Sequence, residues 1–513
     1  MCIRLFGAYL LAGILLLLPI ICYSDKASDY TFVREAKSTP AVVHFDYIGI
    51  GGGTTGCPLA ATLSHGASVL VLERGGSPYG NPNIINTENF APTLLDTSPT
   101  SPAQQFTSED GVFNIRTRVL GGGSALNARF YTRASTHYIK EVGWNQRMVD
   151  QSYEWVEKVV AFEPEILQWE STFRDGLLEV GVLPRVYLRA FTHSSRFASV
   201  CRPRKITVYL HATVQKMLFR HIPAYGVIYK DAYGIIRHRA YLKRNSKKNR
   251  IVLSVGLLMI SGMGSAFHLR AHSIKVVADC PMVGQGMADN PMNILFIPSP
   301  QPVEVSLVQV GWRIDPFHSF GLWLIGHFKH FLSQVSISPG VILEKIMGPL
   351  SRGHLALRNT NPNDNPFVIF NYFKEPEDLR KCIEGMKTII DVVNSEAYSK
   401  FRYKYMPVEA LIDLLLALPL NRRRKHANVT FSLEQFCIDT VMTICHYHGG
   451  CRVGRVVDKG YRVPGIDSLR VVDGLTFYRT LGTNPQATVM MLGRHMGQRI
   501  LHDGLLRGSK KKN

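Results

Sequence analysis

The sequence predicts an α/β fold built around a dinucleotide cradle, and three stretches predict it. The first is Phe45-Asp46-Tyr47-Ile48-Gly49-Ile50-Gly51-Gly52-Gly53-Thr54-Thr55-Gly56, a short apolar strand that enters a glycine turn, after which Cys57 to Ser64 reads as a helix. The second is Val69-Leu70-Val71-Leu72-Glu73-Arg74, an apolar strand that ends on an acid. The third lies near the other end of the chain. Leu469 to Gly474 reads as a strand closing on Asp473-Gly474, and Thr483-Asn484-Pro485-Gln486 then opens an apolar helix from Ala487 through Leu501, with Pro485 suited to its first turn.

Gly51, Gly53 and Gly56 satisfy G-x-G-x-x-G. The first glycine permits a tight turn, the second admits a pyrophosphate close to the backbone, and the third lets helix pack on strand. The pyrophosphate would sit at the helix N-terminus, where unpaired N–H groups and the dipole favour an anion. Glu73 lies 22 residues after Gly51, near the spacing at which such folds place a carboxylate on a ribose hydroxyl.

The chain of 513 residues exceeds what one core usually serves, so two intertwined domains are expected. A 46% hydrophobic and 19% charged composition excludes wholesale disorder. The formal charge of +20 suggests nucleic acid, but no nucleic-acid motif accompanies it. The basic residues cluster at Arg185 to Lys205, Arg237 to Arg250 and Arg422 to Lys425. These read as solvated loops, with a loose attraction to anionic wall polysaccharide or membrane surfaces. Nine cysteines without a C-x-x-C pair argue against a zinc site, and no metal is expected.

Residues 1–24 read as a secretory signal: Arg4, an uncharged apolar run from Leu5 to Ile21, then Cys22-Tyr23-Ser24. A membrane anchor is the alternative, since the charge-free interval just spans a bilayer. Seven cysteines remain after Cys2 and Cys22, so at least one is unpaired within the chain. Asn428-Val429-Thr430 is a glycosylation sequon. Gly75 to Asn114, rich in Pro, Asn, Ser and Thr, reads as a surface excursion. Arg118 to Asn127 holds a second glycine cluster, which alone would be only another turn. In Cys445-His446-Tyr447-His448-Gly449-Gly450-Cys451, an extended backbone would point His446 and His448 one way and Tyr447 the other. Asp378 to Val393 reads as a helix, with Ile383, Met386, Ile389, Ile390 and Val393 at near-helical spacing.

On these pieces, with Met282 to Pro291 and Gly348-Pro349-Leu350-Ser351, the chain from about Asp46 to Ile500 resembles the glucose–methanol–choline (GMC) oxidoreductases, in the plant branch that contains HOTHEAD and the mandelonitrile lyases. The resemblance implies a Rossmann-like FAD-binding domain (40–130, 205–300 and 440–505) interleaved with a substrate domain (131–204 and 301–439) that contains an antiparallel sheet, and a basic tail at 506–513. It implies FAD, with Gly51, Gly53 and Gly56 on the diphosphate, Glu73 on the ribose and Val214 meeting the adenine. Gly122, Ser124, Asn127, Asp473 and Gly474 would line the flavin side, and Pro485 and Gln486 would aim a helix N-terminus at the flavin. His448 corresponds to the base that takes a substrate hydroxyl proton. Asn484 would hydrogen-bond the substrate oxygen, and His446 and Tyr447 would support the site.

The implied reaction is oxidation of an alcohol, with a long-chain hydroxy fatty acid as the substrate suggested by analogy. A hydroxynitrile lyase with non-redox FAD is the alternative; relatives of that kind tend to carry histidine where this chain has Asn484. Three stretches depart from the family pattern: 185–205, 254–264, where Ser254-Val255-Gly256 runs on without the family's Ser/Thr-Pro portion, and 309–339. They raise a third reading, an inactive family member with weakened FAD binding.

Overall fold

A computed structural model describes residues 30–509, except 87–88, 187–188, 244–249, 253–254, 305–309, 316–317, 321–339, 419, 424–431 and 482. The leader, the Asn428 sequon, Ser254, Gly482, most of 309–339 and the end of the tail lie outside the described residues.

Short runs of β-branched and apolar residues form a six-stranded parallel sheet. Its order is Val33–Glu35, Ile206–Leu210, Val69–Leu72, Tyr47–Ile50, Arg250–Val252 and Leu469–Arg470. Val69–Leu72 is buried along its whole length, as a strand covered on both faces requires. The glycine turn leaves the carboxyl end of Tyr47–Ile50 and enters the helix Gly56–Ser64, the place where open α/β sheets bind ligands.

The C-terminal helix, Gln486–Ser509, lies against that first helix. Glycines make the close approach possible: a Cβ on Gly493 would stand 2.5 Å from the Thr55 carbonyl oxygen, and one on Gly497 would stand 2.7 Å from the Thr62 side chain. The predicted helix over 487–501 therefore begins one residue earlier and continues eight residues further.

An antiparallel sheet pairs Pro291–Ile297 with Gly340–Lys345 on one side and Met442–Thr443 on the other. Beneath it sits a core of Trp169, Phe173, Met386, Ile389 and Phe436. The helix predicted over 378–393 spans Pro376–Asn394, with Met386, Ile389 and Val393 buried and Ile383 and Ile390 packed at the core's edge. A disulfide joins Cys382 on this helix to Cys437 on Leu433–Asp439, and the other described cysteines are free thiols. Among the described residues, Glu344, Cys382 and Cys437 lie within ligating distance of one another, but both sulfurs belong to the disulfide. No helix among the described residues is long and apolar enough to cross a membrane.

Two sequence expectations are corrected. Gly75 to Asn114 is more than a surface excursion: it supplies a hairpin, Ala103–Thr107 with Phe113–Thr117, whose Ala103, Ser108, Val112 and Asn114 are buried. Its polar composition serves internal hydrogen bonds, as where Asn114 donates to Val112 O at 2.9 Å. The basic stretch from 185 to 205 is likewise not simply a solvated loop. Ser194–Val200 forms a short helical turn with Ser194, Ser195 and Phe197 buried, and Arg189 pairs with Glu157 at 2.6 Å.

Candidate active site

The glycine turn and the second glycine cluster interlock. Gly121 N–H donates to Gly52 O at 2.6 Å, and Ser124 N–H donates to Thr54 Oγ1 at 3.3 Å. Gly122 adopts φ +58°, and a Cβ there would stand 2.8 Å from Gly53 Cα, so the second cluster requires glycine at 122 to meet the first turn. Gly56 is equally constrained, because its Cβ would stand 2.2 Å from Gly51 O. Gly51 and Gly123, by contrast, face open space. That space is a cavity of about 550 Å³, whose walls include Gly51, Gly53, Gly56, Glu73, Gly122, Val214, Asp473, Gly474, Pro485 and Gln486. Those ten predicted residues, drawn from distant parts of the sequence, are therefore brought to one site.

Glu73 is buried and accepts from Gly52 N–H at 2.8 Å and Gly75 N–H at 2.7 Å. Burial pushes its carboxyl upward, against the pull of these two donors. Each carboxylate oxygen keeps further lone pairs for a hydroxyl. Asp473 caps the turn Gly474–Thr476, accepting from Leu475 N–H at 3.3 Å. Gln486, at the start of the C-terminal helix, donates to Gly123 O at 3.2 Å and so ties that helix to the second glycine cluster. An open glycine cradle that a side chain would fill, faced by a helix N-terminus, fits the diphosphate and flavin of FAD. Gly256, Leu257 and Ile260 also line the cavity, so the described part of the altered 254–264 segment forms wall there.

Ser124 and Asn127 stand behind the wall. Ser124 Oγ donates to Gly121 O at 2.7 Å, and Ser194 Oγ donates to the same carbonyl at 3.0 Å. Asn127 Nδ2 donates to Ser124 O, and Asn127 accepts from Arg129 N–H. Both side chains hold the turn in place, and Ser194 brings the described part of 185–205 to the same task.

At the other end, His446 and Tyr447 line the cavity, while His448 and Asn484 are buried just outside its wall. Tyr447 stacks on Phe370 with ring centroids 5.4 Å apart and donates to Asn114 Oδ1 at 3.0 Å; it, and not His448, shares the cavity wall with His446, unlike the alternation an extended backbone implies. His448 exchanges backbone hydrogen bonds with Ala288 at 2.9 Å in each direction. Its Nδ1 lies 3.0 Å from His446 O. A carbonyl can only accept, so Nδ1 carries the proton and Nε2 carries the lone pair. Nε2 is buried and has no partner among the described residues. Burial holds this imidazole down at about 4, the His446 carbonyl opposing and Arg352 adding to the effect. His446 is lowered as well, by burial first and then by Lys345 and His448.

Two residues missed in the sequence shape this end. Lys345, the last residue of Gly340–Lys345, is buried and donates through Nζ to Asn484 Oδ1. Asp289 is also buried, accepting from His446 N–H at 2.7 Å, Thr443 Oγ1 at 2.6 Å and Tyr372 OH at 2.7 Å. Burial raises its carboxyl to about 6 against those three donors. The available signals were an acid–base pair ending an apolar run, Glu344-Lys345, and the Asp289-Asn290 within the quoted 282–291 stretch.

Comparison with known proteins matches residues 349–493 to the GMC oxidoreductase family model. The chain is 40% identical to Protein HOTHEAD of Arabidopsis thaliana, over 94% of this chain and 93% of that one. It is 36% identical to (R)-mandelonitrile lyase 3 of Prunus serotina, over 94% and 89%. It is 38% identical to the sinalpyl alcohol oxidase Nec3 of Nesocodon mauritianus, over 91% and 90%. Its fold matches a formate oxidase of Aspergillus oryzae with a TM-score of 0.75 at 17% identity, covering 91% of this chain and 99% of that one.

Proposed function

The chain belongs to the GMC oxidoreductase family, with FAD as its cofactor, and on that premise we propose that it oxidises the CH–OH group of a small-molecule alcohol. When bound, FAD supplies the acceptor for the carbinol hydride. Gly51, Gly53 and Gly56 would hold its diphosphate, Glu73 its ribose and Val214 its adenine, with the helix start at Pro485-Gln486 facing the flavin.

The observation that carries the reading is the state of His448: a buried, neutral imidazole whose tautomer is fixed by His446 O and whose Nε2 lone pair is unclaimed among the described residues. Such a group can take the hydroxyl proton as the carbinol hydride departs. Asn484 would hold the substrate oxygen through its amide N–H groups, its own oxygen being engaged by Lys345. Asp289 keeps the backbone at His446 in place, two residues before the base. A long-chain hydroxy fatty acid remains the analogy-based choice of substrate. The domain division at 40–130, 205–300 and 440–505 against 131–204 and 301–439 belongs to this reading, as do secretion by the leader and glycosylation at Asn428.

Anaerobic addition of a long-chain alcohol should bleach the flavin, and His448→Ala should retain FAD but abolish bleaching. Bleaching that survives in His448→Ala would remove His448 from the base role. A second reading, cyanohydrin cleavage, draws support from Lys345: a buried ammonium beside Asn484 could stabilise departing cyanide. Release of benzaldehyde and cyanide from mandelonitrile without bleaching would favour it. A colourless protein would leave the inactive-member reading.

A further inference from the structure

We propose that Arg74, Arg116 and Arg118 form an anion subsite beside the cofactor cavity, one that takes a carboxylate or phosphate group separate from the FAD diphosphate. The inference rests on the FAD reading only in calling the anion separate.

Arg74 and Arg116 line the cavity together with Asn359, Asn361 and Asn365. The hairpin register sets Arg116 opposite Gln104, and Arg118 follows two residues later, its N–H donating to Pro102 O at 2.8 Å. Arg74 reaches the same hairpin, donating to Gln104 Oε1 at 3.0 Å and Thr117 O at 3.1 Å. Arg116 donates to Asp364 O at 2.8 Å, to Asn365 Oδ1 at 3.3 Å and to Pro362 O at 3.5 Å. Arg118 donates to Pro99 O at 2.6 Å and Ser101 O at 2.9 Å.

Every one of these acceptors is a neutral oxygen. Among the described residues, none of the three guanidinium groups forms an ion pair with a carboxylate. The nearby acids are otherwise engaged. Asp364 accepts from Asn359 Nδ2 at 2.7 Å and Asn361 Nδ2 at 2.8 Å, and Glu73 accepts from the cradle. Arg358, a fourth guanidinium on the cavity wall, is paired with Glu109.

Burial, with repulsion from its neighbours second, pulls Arg74 down to about 9; the same two causes pull Arg116 down to about 10. Gathered like charges in a partly desolvated wall destabilise the fold unless an anion joins them. Neutral carbonyls orient a guanidinium without cancelling its charge, and the attraction of Glu73 for Arg74 and of Asp364 for Arg116 offsets the burial and repulsion only in part. Guanidinium groups match carboxylate and phosphate in planar, two-point geometry, which identifies the ligand class.

The test is a titration of the FAD-loaded protein with inorganic phosphate and, separately, acetate, ionic strength being held constant with sodium chloride. The readouts are the unfolding midpoint and flavin fluorescence. Wild type should show a saturable rise in midpoint, and Arg116→Gln should weaken the apparent affinity about tenfold. Because Arg116 also fastens the 362–365 loop, Arg118→Gln is run beside it and should weaken the response in the same direction. No saturable response in the loaded wild type, or a response in both variants as strong as that of the wild type, would overturn the subsite. So would a response confined to cofactor-free protein and lost on adding FAD, since the anion would then be the cofactor's own phosphate. A protein that takes up no flavin yet responds to phosphate through these arginines would remove the FAD reading and keep the subsite.

Discussion

At the glycine end of the cavity the wall is main chain, whereas at the histidine end it is buried side chains held by other buried side chains. The cradle works because side chains are absent: Gly53 and Gly122 touch backbone to backbone, and Gly51 and Gly123 open onto space. The histidine end works because polar groups are present and immobilised, with Asp289 gripping the His446 backbone and Lys345 gripping Asn484. The first kind of site is written in local spacing. The second is assembled by the tertiary fold from the strand Gly340–Lys345, the 282–291 stretch and the 445–451 segment.

The difference can be broken from either side, and substitution in the cradle should have the largest effect. In Gly56→Ala the new Cβ would stand 2.2 Å from Gly51 O, so the turn must open. We expect loss of bound flavin and a lowered unfolding midpoint, read by absorbance and thermal melting. His448→Ala should do the opposite, keeping flavin while lowering turnover by about 10²- to 10⁴-fold, the usual contribution of a positioned base. If both variants lose flavin alike, the two ends are not separable in the way described.

Lys345→Met should act between these limits. It removes a buried charge but leaves Asn484 Oδ1 without its donor, so stability should shift by no more than about 2 kcal/mol in denaturant unfolding. Flavin should remain and turnover should fall about tenfold, less than a lost oxyanion donor costs. Glu73→Gln sharpens the cradle side: with one charged acceptor neutralised, FAD affinity should fall about tenfold, measured by equilibrium dialysis.

The pH dependence tests the same imidazole without a substitution. Burial holds His448 at about 4, below its ordinary 6.5, so the folded imidazole stays neutral across the mildly acidic range. Between pH 6.5 and 4 the unfolded chain takes up this proton and the folded one does not. The linked stability is therefore complete above 6.5 and declines as pH falls towards 4. The flavin-bleaching rate should hold to near pH 4 before its acid limb. A limb near 6.5 would mean that His448 is solvated.

The sequence made the cradle legible because glycine spacing encodes backbone geometry directly, and Gly51, Gly53, Gly56 and Glu73 meet at one cavity as that spacing implied. The Pro376–Asn394 helix was legible through its apolar period. Other features depended on contacts between distant residues. Polar composition from 75 to 114 suggested solvent exposure, but those side chains satisfy hydrogen bonds within a hairpin on the cavity wall. Lys345 reads as a strand terminus until Asn484, 139 residues away, is brought to it. Cysteine count permitted a disulfide without naming Cys382 and Cys437, because connectivity follows from how two helices pack. Ser194 reads as one more polar residue in a basic stretch, and only its contact with Gly121 O makes it part of the cradle's support.

The visible absorption spectrum of the purified protein, wild type beside Gly56→Ala, tests the central claim most directly. The account predicts a flavin spectrum in the wild type and its loss in the variant. A wild type that stays colourless after reconstitution with FAD, or a variant that retains flavin as fully as the wild type, would contradict it.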